Sequence, residues 1–226
     1  GERPFSMSLH DIPQPEEGEG RYARRADFLQ AGLCAARGEH EAAAVVLAAL
    51  SAIAGPADLA GEQRFLVSCA QILCAQALAD DDLHHLAVPL WQQVIENLDL
   101  AAVSGGEQDR LLVLAGIGYG GFCIQTGRLA EAEPWLRRAG ARAESNGWEL
   151  DTARTKLERA IGNWSRGDHT AVEQLITEAY PVIARYARAH DVSRSWFYLG
   201  FTKLASGALE EADQCWAHAE RHWREL

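Results

Sequence analysis

From Arg21 onward, apolar residues recur every three or four positions among Ala, Leu, Glu, Arg and Gln, and no stretch alternates apolar with polar residues as a half-buried strand does. The pattern predicts helix throughout. Short polar or glycine turns interrupt it near Gly38, Gly55-Pro56, Asp80 to Asp82, Gly105-Gly106, Gly127, Gly147, Gly167 and Gly207, leaving about ten helices in antiparallel pairs. The first 20 residues carry three prolines and five acids without periodicity, and read as a flexible lead-in.

The helices repeat. Gly127, Gly167 and Gly207 stand 40 residues apart; Asp82 lies 45 before Gly127, and Gly38 lies 44 before Asp82. Aligned on these five turns, the chain shows in-register columns. Seven before the turn stand Ala31, Ala75, Gly120, Ala160 and Gly200, and five after it Ala43, Ala87, Ala132, Val172 and Ala212. Nine after come Leu47, Trp91, Leu136, Ile176 and Trp216, and twelve after come Leu50, Val94, Ala139, Ala179 and Ala219. Small residues where two helices cross, with large ones a turn further on, are what a tightly packed helical hairpin needs. The units run at about residues 21–57, 58–103, 104–147, 148–189 and 190–226.

These columns resemble the tetratricopeptide repeat family. The match is best in the last unit, "WFYLGFTKLASGALEEADQCWAHA", where Trp196, Leu199, Gly200, Gly207, Ala212, Trp216 and Ala219 stand at the family's spacings. The third unit keeps Gly120, Gly127, Ala132, Leu136 and Ala139 but has Gly116 in the tryptophan's place. The 40–45-residue spacing implies longer helices than the family's usual 34-residue repeat. In that respect the chain is similar to the helical-repeat domain of bacterial transcription activators of the maltose-regulator type. The resemblance implies an all-α fold: a right-handed superhelix of about five antiparallel helix pairs, the α-solenoid of this family.

One stretch invites another reading. "LLVLAGIGYGGFCIQTG", Leu111 to Gly127, contains Gly116-x-Gly118-x-x-Gly121, the spacing of a dinucleotide-binding fingerprint, which needs a strand before it and a helix after it. No β-α alternation surrounds it. Ser104-x-x-Glu107 has the spacing of a capping box that starts a helix near Ser104, and Gly120 falls in the small-residue column. Each interior glycine costs a helix about 1 kcal/mol against alanine. Four of them within six residues imply close backbone approach, and a neighbouring helix is favoured over a ligand as what comes close.

Composition narrows the function classes. A net charge of −11 argues against a nucleic-acid binder, and the longest apolar run, Ala42 to Ala54, falls short of the roughly 20 residues a membrane span needs. The five cysteines (Cys34, Cys69, Cys74, Cys123, Cys215) form no C-x-x-C pair, which suits reduced, buried thiols in a cytoplasmic protein. His218-x-x-x-His222 puts two imidazoles on one helix face, but Glu220 is misplaced for a metalloprotease motif and no third ligand is evident. His84-His85, at a helix start, points two ways. Pro89 and Pro134, each seven past a turn, are expected inside the second helix of their units. No catalytic, metal or cofactor site is expected, and we read the chain as no enzyme.

The resemblance implies a binding groove formed by the first helix of each pair, with groove-facing positions ten, six and three before each turn. Here these are Phe28, Ile72, Ile117, Leu157 and Phe197; Gly32, Gln76, Gly121, Ile161 and Phe201; and Ala35, Ala79, Ile124, Trp164 and Leu204. The groove lacks the Lys/Asn set with which chaperone-docking members hold a carboxylate. Thirteen before the turn stand Arg25, Cys69, Leu114, Arg154 and Arg194, and Asp151 and Asp191, three residues ahead of the last two, are expected as helix N-caps. An apolar trough rimmed by Arg154 and Arg194 suits an amphipathic helix or extended peptide with acidic flanks, or an amphiphilic small molecule. The expectation is therefore a non-enzymatic protein- or peptide-binding module. The alternative is the ligand-sensing domain of a larger bacterial regulator, with a small-molecule effector.

Overall fold

The computed structural model describes residues 61–80, 83–100, 106–186 and 189–224, and every regular element among them is an α-helix. In chain order these are α1 (Gly61–Asp80), α2 (His84–Leu100), α3 (Gly106–Gln125), α4 (Leu129–Ser145), α5 (Glu149–Ser165), α6 (His169–Arg185), α7 (Ala189–Ala205) and α8 (Leu209–Trp223). The all-α class matches the periodicity. The chain forms two compact units, Gly1–Leu111 and Leu112–Leu226, and α3 belongs to both. Within the first, α1 packs on α2; within the second, successive helices from α4 to α8 pack on one another, and α5 also touches α7.

A single turn design sets the spacing of the second unit. Gly127, Gly147, Gly167 and Gly207 all have φ between 68° and 80°, the left-handed region that only glycine enters without steric cost. At each, two backbone hydrogen bonds close the helix. The glycine N–H donates three residues back (Gly127 to Ile124, 3.0 Å; Gly207 to Leu204, 3.0 Å), and the next N–H donates five back (Arg128 to Cys123, 2.7 Å; Ala208 to Lys203, 2.9 Å). This is the Schellman motif, which satisfies carbonyls that a helix end otherwise leaves unpaired. Helices α4 to α7 are each 17 residues long, with three residues to a link, so the half-repeat is 20 and the repeat 40.

The sequence columns are the hairpin cores. Ala75, Ala87, Trp91 and Val94 are buried in the first unit. Gly120, Ala132, Leu136 and Ala139, and likewise Ala160, Val172, Ile176 and Ala179, are buried in the second. The column members Ala31, Ala43, Leu47 and Leu50 lie outside the described residues. The glycines of the supposed dinucleotide fingerprint lie inside the continuous helix α3, as does all of "LLVLAG". A Cβ on Gly116 would stand 2.6 Å from that of Ala139, and one on Gly120 would stand 2.6 Å from Leu136 Cδ2. They let α3 lie against α4. Ser104 lies outside the described residues; Pro89 and Pro134 do sit inside helices, joined by Pro181 in α6.

Two expectations need correction. Asp151 and Asp191 are not N-caps: α5 opens at Glu149 behind Trp148, which makes no side-chain cap bond, and α7 opens at Ala189. Both aspartates are the third residue of their helix and are buried. The cause lies in the link. At α5 the cap position falls on Trp148, whose ring packs on Val113, Ile117 and Ala143. A carboxylate in the first turn still faces the positive end of the helix dipole. Asp168 does cap α6, accepting from the Ala171 N–H at 3.1 Å.

Gly200 offers a test of the close approach. An alanine there gains about 1 kcal/mol of helix propensity, but its Cβ would stand 2.6 Å from Trp216 Cδ1 and closer still to Nε1, which donates to the Phe197 carbonyl at 3.2 Å. Overpacking of this kind costs roughly 1–3 kcal/mol. Gly200→Ala is therefore expected to lower the melting temperature by a few degrees, while Gly106→Ala, whose Cβ would meet nothing within 4 Å, leaves it level or higher. Thermal denaturation followed by circular dichroism reads both.

Candidate functional site

Buried charge joins α5 to α7. Arg154 and Glu158 lie one turn apart on α5, Asp191 and Arg194 one turn apart on α7, so each helix presents a cation and an anion on one side. Arg194 Nη1 and Nη2 donate to Glu158 Oε1 and Oε2 at 2.5 and 2.9 Å, a bidentate pair, and Arg154 Nε lies 3.3 Å from Asp191 Oδ2. The carboxylates are nearly closed to solvent, at 8% and 3% exposure, and both arginines keep 21%. Burial disfavours the charged guanidinium of Arg194, yet the Glu158 carboxylate outweighs it and holds the pKa above its ordinary value. Tyr198 lies in the same setting, and burial raises its phenol.

Next to this set, six aromatic rings gather across three helices. Trp164 of α5 meets Tyr198 and Phe201 of α7, each at 5.3 Å between ring centroids. Phe197 meets Phe201 edge-on at 5.0 Å and Trp223 of α8 at 5.2 Å, while Phe201 reaches Trp216 at 5.4 Å. Tilted and edge-on pairs at these separations are the favourable aromatic geometry. The cluster remains open: Phe197, Phe201, Trp164 and Trp216 are half-buried, and Leu204 and Trp223 are 42% and 41% exposed.

The positions expected to line a groove separate accordingly. Ile72, Ile117, Ile124, Leu157 and Ile161 are buried in the protein's own core. Gly121 is partly open, with the Glu158 carboxylate 3.4 Å from where its Cβ would be. Trp164, Phe197, Phe201 and Leu204 form the accessible set, and the three rings among them come together. Arg154 and Arg194 are engaged by carboxylates of the neighbouring helix. Phe28 lies outside the described residues. Sequence reasoning missed Tyr198, Trp223 and the partners Glu158 and Asp191. Trp223 was within reach, sixteen past its turn in line with Ala143 and Ile183.

Other chemistry is thin. His218 stacks on Trp196 at 4.7 Å, and no cluster of three or more metal-ligating side chains occurs among the described residues. Cys69, Cys74, Cys123 and Cys215 take part in no disulfide, and burial pushes the Cys69 thiol up to about 11, away from reactivity at neutral pH. A cleft of about 240 Å³ is bordered by Glu144, Glu149, Lys156 and Glu178, but Lys156 already pairs with Glu178 at 2.8 Å and Glu149 with Arg185. No described helix is long and apolar enough to cross a membrane. No protein-family model, curated protein or solved structure matches this chain. What the chain does must be argued from the aromatic cluster and its surroundings.

The ion pairs generate a prediction. Arg194→Met strands Glu158 in a nearly dry site and is expected to cost about 2–3 kcal/mol, below the fully buried range because the guanidinium keeps some solvent. Adding Glu158→Leu removes the stranded charge and is expected to recover most of that loss. Urea denaturation of the two single variants and the double gives the coupling; additive losses would mean that the pair contributes nothing.

Proposed function

We propose that this chain is a non-enzymatic interaction module of the tetratricopeptide-like solenoid type, which docks a partner helix or peptide on the aromatic face of α7. One observation carries the reading. Ten and six before the turn, the third and fourth units place Ile117, Leu157 and Ile161 in the core, whereas the last unit places Phe197 and Phe201, half-buried, with Leu204 open beside them. These three residues recur at the i, i+4, i+7 spacing that anchors an amphipathic helix. Arg154 and Arg194 hold the wall together and are left out of the docking set. The competing explanation is that the rings merely pack α7 on α5 and α8.

Panning a displayed peptide library against the full chain is expected to enrich amphipathic sequences. Trp164→Ala and Phe201→Ala are each expected to weaken a selected peptide tenfold or more, since burying one large side chain is worth about 1.5–3 kcal/mol. Fluorescence anisotropy gives the affinity and thermal melting gives the control. Unchanged affinity together with a lower melting temperature would assign the rings to packing, and a panning that enriches nothing would also count against the proposal.

A further inference from the structure

Columns that are closed in the earlier helices stand open in α7 and α8. Sixteen past the turn, Ala143 and Ile183 are fully buried and Trp223 is 41% exposed. Nine past it, Leu136 and Ile176 are buried and Trp216 is half-buried. Where the third and fourth units have aliphatic or small residues covered by protein, and the second has a Trp91 that is fully buried, the last has large rings left partly in water. The rings do not close the face by themselves: after all their mutual contacts, Trp223 and Leu204 keep over two-fifths of their surface.

The charges bordering this face indicate what covers it. On α8, Trp216, Glu220 and Trp223 follow one another at i, i+4, i+7 and share a side of the helix. Arg224 lies one turn after Glu220 and bonds it at 2.5 Å, and both side chains are well exposed, at 77% and 63%. An acid followed one turn later by a base, along an aromatic edge, is complementary to its own reverse. Laid antiparallel, a second α8 brings each Glu220 opposite the other's Arg224 and each Trp223 toward the other's.

We propose that the α7/α8 face pairs with the same face of a second copy of this chain, about a two-fold axis that crosses α8 between Glu220 and Arg224. This rests on reading the aromatic face as a docking surface and names its occupant. Isologous contact of this kind is the commonest way soluble proteins dimerise, and tryptophan and arginine are over-represented among the residues that dominate such interfaces.

The test is sedimentation equilibrium of the full chain over a range of roughly 1–100 µM, which covers weak to moderate self-association. The expected result is an average mass that climbs from one copy to two. Trp223→Ala is expected to weaken the dimer tenfold or more while the single copy keeps its helical circular dichroism, since the ring, 41% exposed, lies at the edge of the aromatic cluster. Glu220→Arg and Arg224→Glu each set like charges opposite one another and are expected to weaken it, and the double exchange restores it. A mass of one copy throughout the range, association indifferent to Trp223→Ala, or a double exchange that fails to restore it would overturn the proposal. A chain that stays single yet binds selected peptides through Phe201 would overturn the two-fold dimer and leave the docking reading standing.

Discussion

The second unit depends on a fixed helix length. A glycine that enters the left-handed region ends α3, α4, α5 and α7, and a three-residue link turns the chain into the next helix. With helices of 17 residues, each hairpin returns to the same phase, and a residue's distance from its turn determines what it touches. This is why Gly120 meets Leu136 and Gly200 meets Trp216 in two different units. The left-handed conformation costs any other residue roughly 1–2 kcal/mol. Losing it would shift every later column relative to the one it packs against.

Such a fold was legible in the sequence because its period is marked by residue types with one physical use. Turn glycines, small residues at crossings and large ones a turn away all leave a trace in composition, and each hairpin core among the described residues lies where the columns put it. The half-repeat was less visible. Gly147 sits midway between Gly127 and Gly167, but residue 187 is alanine, which hid the 20-residue module. Asp151 and Asp191 were misplaced because their helices begin two residues earlier, at Glu149 and Ala189, and at α5 the cap position is held by Trp148.

The candidate site was half legible. Spacing identified which residues share a side of a helix, and Trp164, Phe197 and Phe201 do come together. Spacing could not tell which of them the next hairpin would cover, and covering removed Ile117, Leu157 and Ile161 from the accessible set. It was equally silent about charge pairing over 36 residues, as between Glu158 and Arg194. Such a pair depends on how two hairpins nest, and no local pattern in either helix specifies that.

The crossed pairs between α5 and α7 have a consequence beyond cohesion. Helices studded with small and aromatic side chains offer few steric stops against sliding, since one turn of displacement replaces a ring by a similar ring. The charges forbid it. Move α7 back by one turn and Arg194 arrives opposite Arg154; move it forward and Asp191 arrives opposite Glu158. Like charges brought together out of water cost several kcal/mol in either direction. Arg154, Glu158, Asp191 and Arg194 thus act as a key with one fitting position, and the nesting of the last two hairpins has a register that their apolar surfaces alone would leave undecided.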